Sequence, residues 1–492
     1  MSGFPLRMGS EAAFRTVREF LAGAGFTEEF LLRHFQVPQI HLLLVPFGMH
    51  GSYLASKYQG EGLPLFLART LVAGFDATPA EVRRYWPDPV RDSLLELGIF
   101  EPHGENLRST VMVLPGFGFI VAADRGVRPG GLVYQEQDFV MCGAENLSRR
   151  YVDTFGKSPC ESLLELGTGA GLGALVASRF AAKVTATDIV PRAVSYAEFN
   201  CRLNGVTNVE VLQGDLFAPV AGRTFDRIVC HPPFEPSIKG DYTFSIGGED
   251  GEAVIERIVR EAPAHLNPGG RLYCQVTGTD RQGEPFEERV RTWLGDDAAR
   301  TDVALFVRLT TEPREYAVEQ ILAENQDSWK LLEWNVMYSK IKARLVIVGM
   351  LVLQKRASER PVFFTRRVFG PRTGLAEMED LLAWETRAAE PGFAEDLMGL
   401  RPVPGEGWKL YARHAMREGK LATLGYTFFN EYPFETNLHS MPWMPVVVSQ
   451  CDGKKTAGEL FMALRGRLRI DPNDYVQALA ALLGMRVLKF TK

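Results

Sequence analysis

Ser162-Leu-Leu-Glu-Leu-Gly-Thr-Gly-Ala-Gly-Leu-Gly173 reads as a strand, a glycine turn and the opening of a helix. A short apolar run closes on the acidic Glu165, glycines follow at 167, 169 and 171, and residues 172–180 take up a helical pattern. Residues without a Cβ let the backbone approach a ligand, and a helix N-terminus offers unpaired N–H groups. The arrangement suits a nucleotide-like ligand. Many cofactors and some purely structural turns use it as well, so the residues downstream decide its meaning.

Lys183-Val-Thr-Ala-Thr-Asp188 alternates as a strand does and ends in an aspartate 17 residues beyond Gly171. That is near the spacing at which a carboxylate accepts from both hydroxyls of a ribose diol. Residues 192–203 follow as a helix. Val209-Glu-Val-Leu-Gln-Gly-Asp215 reads as a third strand, again closed by Asp, and Phe225-Asp-Arg-Ile-Val-Cys230 as a fourth that runs into His231-Pro-Pro-Phe234. Pro268-Gly-Gly270 then turns into a strand at 271–277. Strands and helices alternating in this way, with acidic residues closing successive strands, predict an α/β, Rossmann-like doubly wound sheet. Its ligand belongs across the carboxyl ends of the strands.

A nicotinamide-binding oxidoreductase shares the first two elements, but the His-Pro-Pro-Phe turn disfavours it. Glu165-Leu-Gly-Thr-Gly-Ala-Gly171, Asp188, Gly214-Asp-Leu216 and the Pro-Pro-Phe turn resemble the class I methyltransferases that use S-adenosylmethionine. Within these, the chain is similar to the branch whose fourth motif reads Asn/Asp-Pro-Pro-Tyr/Phe and which methylates glutamine amides, adenine N6 and guanine N2. Ile246-Gly-Gly-Glu-Asp-Gly251 is similar to a glycine-rich turn of the glutamine enzymes. The resemblance covers about residues 130–355 and implies a seven-stranded core with S-adenosylmethionine as cofactor. It implies that Gly167, Gly169 and Gly171 cradle the methionine end, that Asp188 holds the ribose, and that Glu165, Thr168 and Ile189 also line the cofactor. Asp215 and Leu216 would meet the adenine, with His231 beside the cofactor.

His231 departs from that branch, which has Asn or Asp in its place. There, the side chain and the carbonyl of the first proline (Pro232 here) accept hydrogen bonds from the target NH2, and the closing aromatic (Phe234 here) stacks on a planar acceptor. A histidine accepts through one ring nitrogen only, and it can take a proton outright at neutral pH. His231 is therefore expected to orient or to deprotonate an acceptor N–H or O–H. The change loosens the carry-over of glutamine or adenine specificity.

Three domains are expected: 1–128, 129–356 and 357–492. The first reads as helices at 11–24, 27–36 and 64–73 and one opened at 78–81 whose pattern continues through 91–97, followed by short extended pieces at 111–114 and 117–122, in a winged-helix order without a basic recognition stripe. Residues 133–140 are polar and aromatic. They form either a flap over the cofactor or the solvated approach to a helix at 144–155, and Tyr134 is a candidate substrate-binding residue. Residues 302–308 and 343–352 read as the last two core strands, separated by an insertion at about 311–342. Leu331, Trp334, Tyr338 and Ile341 stand there at helical spacing, and Trp329 is a candidate wall of the acceptor site. The last domain reads as helical or winged, with helices at 375–388, 456–465 and 472–483 and a strand at 486–490. Arg465, Arg467 and Arg469 could meet a phosphate backbone, a dimer partner or solvent.

At 492 residues the chain exceeds one core. Its formal charge of −5 argues against a protein built mainly to hold nucleic acid, although residues 401–492 carry 13 basic and 8 acidic side chains. The N-terminus lacks a signal-peptide core, no apolar run spans a bilayer, and six scattered cysteines form no metal motif. A cytoplasmic protein with reduced thiols and no metal is expected, with a homodimer through the terminal domains left open. The reaction expected is methyl transfer to nitrogen on a protein side-chain amide or a small heteroaromatic molecule. RNA ranks behind these. O-methylation with His231 as base and a non-catalytic cofactor-binding regulator remain alternatives.

Overall fold

The structure, a computed structural model, describes every residue except 1–2, 44–57, 59, 129–130, 133–135, 144–145, 237–242, 244–245, 324–327 and 492. It divides into two compact units, residues 1–276 with 327–338 and residues 277–326 with 339–492.

The first unit opens with helices. Ser10 caps the helix Glu11–Gly23 by accepting from the Ala13 N–H, and Phe14, Val17 and Leu21 form its buried stripe. Thr78 and Glu81 close a reciprocal capping box on the helix Pro79–Tyr85, with Pro79 in the first turn. Two hairpins follow: β1 (Phe100–His103) with β2 (Asn106–Ser109), and β3 (Met112–Gly116) with β4 (Phe119–Ala123). A short pair, β5 (Val127–Arg128) and β6 (Gly131–Leu132), leads on.

The core strands are β7 (Cys160–Leu166), β8 (Ala181–Asp188), β9 (Val209–Gln213), β10 (Phe225–Cys230) and β11 (Leu266–Arg281), whose residues to 276 belong to this unit. They run parallel in the order β9-β8-β7-β10-β11. Leu163, Leu164, Leu166, Ile228, Val229 and Cys230 are fully buried, the continuous apolar signature of strands covered on both faces. The third strand stops at Gln213, short of the expected Asp215. Gly214 (φ 158°) and Leu216 (φ 47°) turn the chain into conformations a strand does not use.

The β3–β4 hairpin docks on the helix Pro191–Leu203. Asn200 is fully buried. Its Oδ1 accepts from the Ala122 N–H (2.8 Å) and its Nδ2 donates to the Ala122 carbonyl (2.8 Å), so it pairs with β4 like a further strand residue. One turn on, Asn204 does the same with Ile120. Asp124, just beyond β4, accepts from Arg192 Nε (2.8 Å), the Tyr196 hydroxyl (2.7 Å) and the Val140 N–H (2.9 Å). A buried carboxylate needs such partners.

In the second unit, β12 (Thr301–Thr311) and β13 (Ala343–Lys355) are antiparallel. In the chain between them come the helix Pro313–Ala323 of this unit and the helix Lys330–Lys340, most of which belongs to the first. Further strands are β14 (Phe364–Phe369), β15 (Arg401–Pro404), β16 (Lys409–Arg417), β17 (Lys420–Asn430), β18 (Phe434–Ser440) and β19 (Leu488–Thr491). The order is β13-β12-β14-β18-β17-β16, with β15 and β19 paired separately. The buried Asp302 carboxylate holds the Arg360 guanidinium. The helices Leu375–Ala388, Ala457–Leu468 and Pro472–Gly484 form where expected, with Leu460, Tyr475 and Leu479 packed about Phe428 and Val447. The strands β16 to β18 were not foreseen in this segment. Nearly every residue of β16 is exposed, so its apolar residues do not alternate between core and solvent.

Candidate functional site

The strand order places four carboxyl ends side by side. Gly167–Gly171 follows β7, Asp188 closes β8, Asp215 lies two residues past β9, and His231-Pro232-Pro233-Phe234 follows β10. Every motif of the sequence core except the acceptor walls therefore lies on one edge of one sheet.

The glycine turn is held from both sides. Gly167 and Thr168 donate backbone N–H bonds to the Thr187 carbonyl (2.9 and 3.0 Å) at the end of the neighbouring strand. All three glycines have positive φ, at 68°, 55° and 84°. A Cβ on Gly167 or Gly169 would meet nothing within 4 Å, so the turn is open on its outer side. At Gly171 a Cβ would press on Ala197 Cα at 3.0 Å. Nδ2 of Asn200 donates to the Ala170 carbonyl (2.8 Å), which ties the turn to the N-terminal hairpin.

Glu165 lies beneath the turn, 2% exposed. It accepts from the Thr168 hydroxyl (2.6 Å), the Tyr151 hydroxyl (3.1 Å) and the Ala174 N–H in the first turn of the helix Leu172–Ala177. Burial pushes its carboxyl up to about 7, while these donors pull the other way. Asp188 accepts from the Gly169 N–H and the Val190 N–H, both at 2.9 Å. Burial raises its carboxyl above the ordinary range against those bonds and a further one from the Ile189 N–H. Ile189 beside it is 53% exposed, a large apolar side chain on the rim. Asp215 is exposed and paired with Arg257 at 2.7 Å, and the Leu216 carbonyl accepts from the Thr187 hydroxyl.

At β10, three rings form a stack. Tyr151 and His231 lie 5.9 Å apart with 28° between their planes, and His231 and Phe234 lie 5.8 Å apart at 17°. His231 is partly buried, yet its Nε2 is out of reach of solvent and has no hydrogen-bond partner among the described residues. Burial pushes the imidazole down to about 4, so the ring is neutral at physiological pH. Gly247 and Gly251 close the following turn onto this loop. A Cβ on Gly251 would run into the Phe234 carbonyl, and one on Gly247 would lie 2.8 Å from the Pro233 carbonyl. The Gly247 N–H donates to the Glu235 carbonyl at 2.7 Å.

Tyr134 lies outside the described residues. Trp329 is 58% exposed just ahead of the helix Lys330–Lys340, whereas Trp334 and Tyr338 are buried and packed on each other at 5.6 Å. Tyr151, Asn200 and Asp124 escaped the sequence reading, because each looks like an ordinary helix or loop residue until its distant partner is known. Among the described residues there is no cluster of metal-ligating side chains and no helix long and apolar enough to cross a membrane. All six cysteines are free.

The family model described as methyltransferase small domain matches residues 143–288. A ribosomal protein uL3 glutamine methyltransferase of Bradyrhizobium diazoefficiens is 35% identical over 162 residues, 29% of this chain and 49% of that protein. A release factor glutamine methyltransferase of Moorella thermoacetica is 34% identical over 148 residues, 27% of this chain and 52% of that one. The chain thus spans about half the length of these two curated relatives. Among solved structures, a methyltransferase from Pyrococcus furiosus is 21% identical, with 41% of this chain and 78% of that chain covered at a TM-score of 0.26. Residues 143–288 are a class I S-adenosylmethionine-dependent methyltransferase domain.

Proposed function

We propose that the whole chain transfers a methyl group from S-adenosylmethionine to a planar nitrogen, with a protein side-chain amide as the acceptor. The observation that carries this reading is the row of Gly167–Gly171, Asp188 and His231–Phe234 along the carboxyl ends of adjacent parallel strands. The names of the relatives, which act on a ribosomal protein and a release factor, favour a protein amide over a small heteroaromatic molecule.

The residues present suit the cofactor. The outer side of Gly167 and Gly169 is open, the rim carries an exposed Ile189, and the Nε2 of His231 lies buried without a partner. When bound, S-adenosylmethionine supplies a methyl group already activated on a sulfonium centre. Gly167, Thr168, Gly169 and Gly171 would hold its methionine end through backbone groups, and Glu165 would fix their turn from beneath. Asp188 accepts three backbone N–H bonds and keeps one lone pair for a ribose hydroxyl. Ile189 would cover the adenine edge. Asp215 and Leu216 would meet the adenine, with the Asp215 carboxylate shared with Arg257.

For the acceptor, Phe234 would stack on the amide plane. The Pro232 carbonyl and a neutral His231 ring would accept from its NH2 group and aim the nitrogen. Positioning of this kind supplies much of the rate when the methyl is already activated. A ring held neutral down to about pH 4 is a weak base, so orientation is favoured over proton removal. Tyr134 and Trp329 would line the far side of the acceptor.

The test is incubation of purified protein with methyl-labelled S-adenosylmethionine and cell extract, separated into protein, RNA and small-molecule fractions. Label is expected in protein, recovered as N5-methylglutamine after enzymatic digestion and as methylamine after acid hydrolysis. Label in small molecules or RNA would replace the acceptor. Cofactor binding by calorimetry without transfer to any fraction would make the chain a non-catalytic binder.

A further inference from the structure

The hairpin β16–β17 stands at the edge of the second unit's sheet. Glu418 and Gly419, both at positive φ (50° and 76°), form its two-residue turn. The register pairs Tyr411 with Thr427, Arg413 with Gly425 and Arg417 with Lys420. Side chains alternate along a strand and paired residues share a face. Tyr411, Arg413 and Arg417 therefore stand on one face with Lys420, Gly425 and Phe429. The opposite face takes Phe428 into the helical core, against Trp408 at 5.5 Å. Packing holds that face only at the base of the hairpin, and towards the tip both faces are exposed.

The Tyr411 face is cationic and aromatic, with a bulge in the pairing at Arg413 and His414. Arg413, Arg417 and Lys420 are exposed and make no ion pair or hydrogen bond among the described residues, and Glu418 at the tip is the one acidic residue from 409 to 430. Lys409 is already held by Glu431 at 3.5 Å. The Arg413 guanidinium lies across Gly425, where a Cβ would be 3.7 Å from Nη2. Tyr411 is half exposed, with the Phe429 ring 6.0 Å away. Like charges kept together on a solvated strand repel, so the arrangement calls for an anionic partner.

We infer that this face of the β16–β17 hairpin binds single-stranded nucleic acid, with phosphates on Arg413, Arg417 and Lys420 and a base stacked on Tyr411. An acidic peptide would use the cations but not the exposed ring. A duplex would offer no free base face to Tyr411. The site does not depend on the transfer reaction, and its test needs no acceptor.

Fluorescence anisotropy of the full chain with labelled mixed-sequence single strands of about 16 nucleotides, the upper site size of one such module, reads the binding directly. RNA and DNA arms separate the two sources of the same chemistry, and a polyglutamate arm reports charge alone. Binding of a single strand is expected with a slope of log affinity against log salt of about −2, since each neutralised phosphate contributes about −0.7. The triple variant R413Q/R417Q/K420Q should lose roughly tenfold or more and flatten the slope. Tyr411→Ala should weaken binding by about fivefold or more with the slope unchanged, as loss of one stacked base predicts. Circular dichroism and S-adenosylmethionine binding of each variant check folding. No binding of either strand, equal binding of polyglutamate, or a triple variant as good as wild type would overturn the inference.

Discussion

The Tyr151 hydroxyl donates to Glu165 Oε1 across 3.1 Å while the Tyr151 ring stacks on His231. One side chain therefore touches both the acid beneath the glycine turn and the residue where this chain departs from its relatives' motif. Tyr151→Phe keeps the ring and removes only the donor. Loss of a hydrogen bond to a buried carboxylate costs about 1–3 kcal/mol, and urea unfolding should register a drop of that order. Cofactor affinity should fall with it, because the turn above Glu165 loses a fixed base. A variant as stable as wild type would mean that the bond contributes nothing.

Glu165 and His231 give the first unit opposite responses to pH. The folded Glu165 sits at about 7 against an ordinary 4.5, so its contribution to stability is full below about 4.5 and is lost as pH rises through 7. The folded His231 sits at about 4 against 6.5. Its contribution is present above about 6.5 and is lost as pH falls through 4. The two nearly cancel between about pH 4.5 and 6.5, and above that Glu165 acts alone. Glu165→Gln does not titrate, so its melting temperature should gain on wild type between about pH 6 and pH 8. A difference that stays constant over that range would rule out the raised carboxyl.

His231 separates orienting from proton transfer. A neutral acceptor can be replaced by another, so His231→Asn should stay within about threefold of wild type, while His231→Ala should lose about 10–100-fold in turnover, the equivalent of one aimed hydrogen bond. Wild type and His231→Asn should share a flat rate profile from about pH 6 to pH 9. A wild-type limb near neutrality that vanishes in the Asn variant would establish His231 as a base instead.

The legible parts of this site are those whose causes lie within a few residues. A strand that must turn sharply into a helix and leave room for a ligand needs glycines at 167, 169 and 171. The Pro-Pro-Phe turn fixes its own backbone. Tyr151, Asp124 and Asn200 act on partners set by the tertiary fold; Asn200 meets Ala122 across 78 residues of chain. An asparagine inside a helix carries no sign of that. The hairpin β16–β17 was hidden for a different reason. Both faces of its distal half are exposed, which leaves no hydrophobic alternation, the chief signal of a strand.

Asn200 and Asn204 allow the bracing of the glycine turn to be separated from the docking of the β3–β4 hairpin. Both exchange bonds with β4, through Ala122 and Ile120, but only Asn200 also donates to the Ala170 carbonyl inside the turn. Truncating either leaves buried backbone groups without partners, so Asn200→Ala and Asn204→Ala should each lower stability by about 1–3 kcal/mol in urea unfolding. Their effects on the cofactor should differ. Asn200→Ala should weaken S-adenosylmethionine binding by about tenfold, as expected for one lost bond to the loop that holds it, whereas Asn204→Ala should leave affinity within about twofold. Equal affinity loss in both variants would mean that the hairpin acts on the site through docking as a whole and that the Ala170 bond has no role of its own.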